Sequence, residues 1–265
     1  MRKALIFGLV FFVLATLAFI GWRVLYLPAQ FEVAELEPVP APQQQQPLPA
    51  APETTHPLIA EEAPAVATTT VDDSDSIFTK FVSALFKSAR LPDFIYPDRM
   101  LRRFVATVDN LPRKELPARL RPVKPAQGMF LVDNQGGILS ISPENDARYE
   151  RYVRALESID VAAAVNFYAT HYALFQKAYQ ELGYPKGNFN NRLFEAIDDM
   201  LAAPTLKSPT SLLQPKVLYR YADPDLENRS AGQKIMMRIG TANAARVGAV
   251  LRKVRAELVR YGRPQ

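Results

Sequence analysis

The stretch Ser158-Ile-Asp-Val-Ala-Ala-Ala-Val-Asn-Phe-Tyr-Ala-Thr-His-Tyr-Ala-Leu-Phe-Gln-Lys-Ala-Tyr-Gln-Glu-Leu-Gly183 decides the fold class of this chain. Its apolar positions Val161, Val165, Tyr168, Tyr172, Phe175, Tyr179 and Leu182 recur every three or four residues, which is one face of an α-helix. The spacing predicts a single long helix that follows Ser158, reaches Leu182 and closes on Gly183, a residue free to take the left-handed conformation.

The same period continues on both sides. Asp75 is placed to cap a helix carrying Ile77, Phe78, Phe81, Val82, Leu85 and Phe86, which Leu91-Pro92-Asp93 would end. A second helix is expected from about Asp98 to Leu111, burying Leu101, Phe104, Val105 and Val108, and a third from Pro143 to about Glu157. Beyond the central stretch, helices are expected over about Asn190–Ala203, from Ser230 to Ile239, and from Thr241 to about Val259. Met129–Asp133 and Ile138–Ser142, joined by Asn134-Gln-Gly-Gly137, read as a β-hairpin whose glycines supply positive φ. Lys216–Tyr221 reads as a short strand. The sum is a mainly α domain, a compact bundle of about seven helices with one small β-hairpin, over residues 75–261.

The N-terminal end has a different composition. From Ala4 to Trp22 there is no charged residue, and 19 residues of helix span roughly 28 Å, the hydrocarbon thickness of a bilayer. Residues 1–27 therefore read as a transmembrane anchor that meets the lipid bilayer through residues 4–26, with Trp22, Arg23 and Tyr26 at the headgroup level. A cleaved signal peptide shares the basic start and apolar middle, but its apolar region is shorter. Residues 28–74 hold nine prolines, a Gln43–Gln46 run and no Lys or Arg, a composition that predicts a disordered, acidic spacer.

The net charge of +5 hides this segmentation. Residues 1–23 carry three cations, residues 24–79 carry nine carboxylates and no cation, and residues 80–265 carry 29 cations against 18 carboxylates. Arg2 and Lys3 favour a cytoplasmic N-terminus, which places the folded domain in the periplasm of a bacterium, behind a single inner-membrane span. The absence of cysteine removes disulfides, thiol chemistry and cysteine metal sites, and two histidines cannot build a multi-histidine centre.

Four stretches carry a resemblance: Arg102-Arg-Phe-Val-Ala-Thr-Val-Asp-Asn-Leu111, Ala178-Tyr-Gln-Glu-Leu-Gly-Tyr-Pro185, Arg192-Leu-Phe-Glu-Ala-Ile-Asp198 and Ser230-Ala-Gly-Gln-Lys234. Over roughly residues 75–258 the chain resembles the domain-of-unknown-function 3014 family of bacterial proteins. That resemblance implies the same order of anchor, Pro-rich segment and domain, and it brings no reaction, ligand or catalytic residue with it.

No Ser-x-x-Lys, Gly-x-Ser-x-Gly, Gly-x-Gly-x-x-Gly or Walker loop is present. Glu195, Asp198 and Asp199 lie within one helical turn, with Arg192 three residues before Glu195, so they are the best carboxylate cluster for a glycan-active hydrolase. A solvated helix face accounts for the same spacing. His171 has no partner acid nearby in sequence, and the aromatic run from Phe167 to Tyr184 fits a core better than a sugar platform. Eleven cations between Lys80 and Lys124 include Arg99, Arg102 and Arg103, which share one polar region. A basic field of this kind suits an acidic envelope protein or an anionic wall polymer, and a periplasmic site argues against nucleic acid. The expected function is therefore presentation of a basic, non-enzymatic helical domain for binding, without cofactor, with Arg99, Arg102, Arg103, Arg192, Glu195 and Asp198 as its polar or basic surface.

Overall fold

The computed structural model describes Val71, residues 74–85 and residues 95–262. The expected anchor at residues 4–26 and nearly all of the Pro-rich spacer lie outside the described residues. Among the described residues no helix is long and apolar enough to cross a membrane.

Nine α-helices and a small antiparallel sheet make up the described residues: α1 (Ser74–Leu85), α2 (Met100–Asn110), β1 (Val132–Gln135), β2 (Ile138–Ile141), α3 (Asn145–Glu157), α4 (Val161–Thr170), α5 (Tyr172–Gln180), α6 (Phe189–Leu201), β3 (Ser211–Leu213), β4 (Arg220–Tyr221), α7 (Pro224–Glu227), α8 (Ala231–Arg238) and α9 (Thr241–Tyr261). The mainly helical expectation holds at this level, with more helices than the sequence suggested and a larger sheet than one hairpin.

The central stretch is broken where one long helix was expected. His171 ends α4 and starts α5 with φ −108° and ψ 16°, its Nδ1 2.9 Å from the Phe167 carbonyl and its ring stacked on Phe167 at 4.2 Å. Hydrophobic periodicity did not register the break because Val165, Tyr168, Phe175 and Tyr179 all enter the same core on either side of it. Two helices that share a core on one side keep a common apolar period. Asp160 provides the cap, accepting from the Ala163 amide at 3.0 Å, and Leu182 lies past the end of α5 in solvent.

That core is built from rings. Phe175 meets Phe104, Tyr168 and Phe189 at centroid distances of 5.9, 5.1 and 6.0 Å, and Phe78 of α1 joins at 5.8 Å. Phe189 is completely buried at the centre, and the last turns of α9 close the cluster with Leu258. Offset and edge-to-face rings at these distances add to the burial of their area.

The expected hairpin is half of a meander in the order β1-β2-β3-β4. Its turn is Gly136-Gly137 alone, with φ of 59° and 87°, so Asn134 and Gln135 belong to the strand. β3 is an element that two leucines, Leu212 and Leu213, in a Pro- and Ser-rich stretch did not signal. Leu139, Leu212 and Tyr221 stand in register across β2, β3 and β4, and together with Met237 of α8 they form a separate small core. Asn145, fully buried at the start of α3, accepts from the Leu131 amide at 2.9 Å and donates to the Leu131 carbonyl at 2.6 Å, which fastens the hairpin to the helices. The strand expected over Lys216–Tyr221 contains only its last two residues.

Candidate functional site: an ion-pair junction and an apolar sheet end

Asp109, near the C-terminus of α2, is buried and receives two guanidiniums. Arg192 of α6 donates through Nε at 3.2 Å and also bonds the Asp109 carbonyl, while Arg113 lies 3.1 Å from the second carboxylate oxygen. Arg192 continues to Glu195 at 2.6 Å, and Arg113 continues to the Tyr184 hydroxyl at 2.6 Å. Two cations therefore face two carboxylates where α2 meets α6, and the geometry is that of a fastening.

A third helix is stitched to the same place. The Ala231 and Gly232 amides, at the start of α8, donate to the carbonyls of Arg113 and Leu111 at 2.6 and 2.8 Å. The orphan donors of one helix thus satisfy carbonyls just past the end of another. Gly232 permits that approach, because a Cβ there would stand 2.9 Å from Met200 and 3.2 Å from the Leu111 carbonyl. Asp199 of α6 accepts from Ser230 Oγ at 2.6 Å and Gln233 Nε2 at 3.0 Å, while Ser230 Oγ accepts from the Gln233 amide as the cap of α8. Burial pushes the Asp199 carboxyl up, against the two hydrogen bonds that favour its ionised form.

The candidate carboxylate cluster is accordingly divided among separate partners. Glu195 pairs with Arg192, Asp199 serves α8, and Asp198 makes a two-point contact with Arg255 of α9 at 2.6 and 3.1 Å. Among the described residues no group of three metal-ligating side chains comes together. His171 packs on Phe167, and most of the aromatic run is core.

The basic residues of α2 differ in their commitments. Arg103 bonds Asp98 at 2.8 Å and also the Arg119 carbonyl, pinning the connection after α2. Arg102 reaches Glu181 at 2.6 Å from a half-exposed position, and Arg99 stands largely in water 3.7 Å from Asp98. Arg99 and Arg102 thus present charge at the surface, whereas Arg103 and Arg192 are mostly covered.

The sheet carries a feature that the sequence reading missed. Because Leu139 pairs with Leu212 antiparallel, the next residues along both strands, Ile138 and Leu213, are neighbours on the outer face, 64% and 55% exposed. The connection from β3 to β4 leaves at that same end and holds Val217 and Leu218 in water, 85% and 76% exposed. Lys216 and Arg220 flank this pair, and neither has an acidic partner among the described residues. Pro215, which cannot donate to a ladder, was the available sign that Lys216–Leu218 would leave the sheet.

A mainly α domain stitched through buried ion pairs, with a four-stranded sheet at one side, is the class that this geometry defines. A family model described as "Protein of unknown function (DUF3014)" matches residues 100–255, more than half of the chain, and the chain belongs to that family. No curated protein matches it. No solved structure matches it either. All four stretches that carried the resemblance converge on the junction just described, through Asp109, Tyr184, Arg192 and Ser230.

Proposed function

We propose that the chain is a single-pass inner-membrane protein whose spacer presents the helical domain in the periplasm for binding an acidic envelope protein, without chemistry of its own. The observation that carries the reading is the apolar end of the sheet, Ile138, Leu213, Val217 and Leu218, beside the uncommitted cations Lys216 and Arg220. Exposed aliphatic side chains in one patch, ringed by charge, are the usual anatomy of a protein interface. A wall polymer is less well matched, since sugar rings are held by aromatic faces and hydrogen-bonding groups, and this end offers aliphatic side chains. The excess of 29 cations over 18 carboxylates in residues 80–265 supports an acidic partner through steering at a distance, and exposed Arg99 and Arg102 add to that field.

A photo-crosslinking residue at position 218 of the full chain, in intact cells, tests the reading against the same residue at Ala118. A discrete adduct formed from position 218 alone, and weakened when Lys216 and Arg220 are reversed in charge, is expected. Equal adducts from both positions, or none from position 218, would remove the proposal. A reporter on the C-terminus that works only in the cytosol would remove the periplasmic placement.

A further inference from the structure

The end of α6, the 202–207 segment, α8 and the first half of α9 enclose a hollow of about 200 Å³ that the reading above does not use. Three methionines, Met200, Met236 and Met237, line it, and Arg252 stands at its edge. Methionine walls are unbranched and polarisable, so they adapt to an apolar guest of variable shape.

Gly248 bears on what the hollow is for. It lies inside the 21-residue helix α9, where glycine costs about 1 kcal/mol relative to alanine. A Cβ at this position would meet the Arg252 guanidinium at 3.4 Å and a Leu201 methyl at 3.8 Å, both ordinary contacts. Packing therefore does not demand the glycine. What the missing methyl preserves is free volume in the hollow.

Arg252 is the second observation. Its helix neighbours are committed, Arg246 to Glu150 and Glu157 and Arg255 to Asp198. Arg252 has no hydrogen-bonding or acidic partner among the described residues, and neither do the hydroxyls of Thr205 and Thr241, which also border the hollow. An uncommitted guanidinium at the edge of a space whose lining is part polar, through Arg252, Thr205 and Thr241, and part apolar, through the methionines, Leu201 and Leu206, matches a guest with an anionic head and an apolar stem.

The stem is better alkyl than peptide. The helical walls of the hollow use most of their backbone groups in their own ladders, so a peptide's amides would lose water against those walls with few partners beyond the 202–207 segment. An alkyl stem carries no such groups. At about 30 Å³ for each water-sized group, the space takes roughly seven methylene-sized units. We propose that this hollow binds the alkyl tail of an anionic amphiphile, a medium-chain carboxylate or the end of an acyl chain, with its head group on Arg252. This goes beyond the binding surface assigned above and does not depend on it.

The chain contains no cysteine, so a single introduced thiol reports its own position without background. The full chain in lipid nanodiscs, carrying Ala245→Cys on the hollow's rim or Ala118→Cys elsewhere as a control, is treated with a maleimide in the presence of decanoate, decanol or decylammonium. Decanoate is expected to protect Cys at 245 and to leave 118 untouched, with affinity about tenfold above decanol, the contribution of one charge-assisted contact. Arg252→Glu, a surface change that leaves the fold intact, is expected to transfer the preference to decylammonium. Gly248→Leu, which fills the space, is expected to abolish protection by all three. Equal protection by the three probes, equal slowing at both thiols, or no protection at 245 would each overturn the proposal, and so would protection unchanged in Arg252→Glu. Release of protection by a membrane lipid extract, as against free decanoate alone, distinguishes an acyl lipid from a free carboxylate as the source.

Discussion

The ring-built core beneath α2, α5 and α6 and the far end of the sheet use similar apolar residues to opposite ends. Around Phe189 the helices enclose their aromatic faces, and the ion pairs of Asp109 sit at the margin of that core, holding the helices in place. At the sheet, one face packs on Met237, while the next residues along β2 and β3 leave Ile138 and Leu213 in water beside Val217 and Leu218. A helix can confine its apolar residues to one stripe, but a short strand projects neighbours to opposite faces. Apolar residues at consecutive positions of a strand whose sheet packs on one side therefore leave some in water.

The contrast can be broken at several strengths. Phe189→Ala removes a ring that touches Phe104, Tyr168, Phe175 and Tyr179, and should destabilise the domain by about 3–5 kcal/mol, read from the denaturant midpoint. Asp109→Asn leaves Arg113 and Arg192 facing a neutral group in a covered site, and a loss of about 3 kcal/mol is expected by the same measurement. A much smaller loss would mean that water already reaches the junction.

Asp199 gives a smaller effect with a definite pH dependence. Burial holds its carboxyl above the usual range, so the folded state keeps a proton that the unfolded chain releases near pH ~4. Its contribution to stability is therefore greatest in acid and declines as pH rises from the unfolded value through the raised folded one. Asp199→Asn should remove that decline, so the difference between variant and parent in urea titrations should move in the variant's favour from pH 4 to pH 7. The Arg246 contacts act in the other sense. Their hydrogen bonds hold Glu150 and Glu157 below the usual range, so whatever they contribute is present at neutral pH and is lost as pH falls through those lowered values. Smallest of all, Leu218→Ser should change stability by no more than about 0.5 kcal/mol, because the side chain stands in water, while weakening the partner adduct. A large loss of stability would show that Leu218 is packed in the folded chain and is no interface residue.

Helix positions were legible wherever an apolar stripe ran long enough. α6 and α8 fall within two residues of their expected bounds, and Ser230, where the α8 helix was expected to begin, is its cap. The break at His171 was not legible, since Tyr168 and Phe175 keep the helical period through it. β3 was too short to signal, and it became a strand by pairing with β2 and β4. For the candidate site, Arg192 and Glu195 were read as neighbours on one helix, which they are. Their connection to Asp109, 83 residues earlier, was invisible to any local spacing rule.

Composition and periodicity alone settled the mainly helical class, the absence of thiol chemistry and the separation of an acidic segment from a basic one. These follow from quantities that sum along a chain or repeat within a few residues. The tertiary structure decided which charges are spent and which are left over, since Arg192, Arg246 and Arg255 find carboxylates on other helices, whereas among the described residues Lys216, Arg220 and Arg252 find none. The physical reason is that the worth of a charge depends on burial and on partners within a few ångströms, and both are set by how distant segments pack.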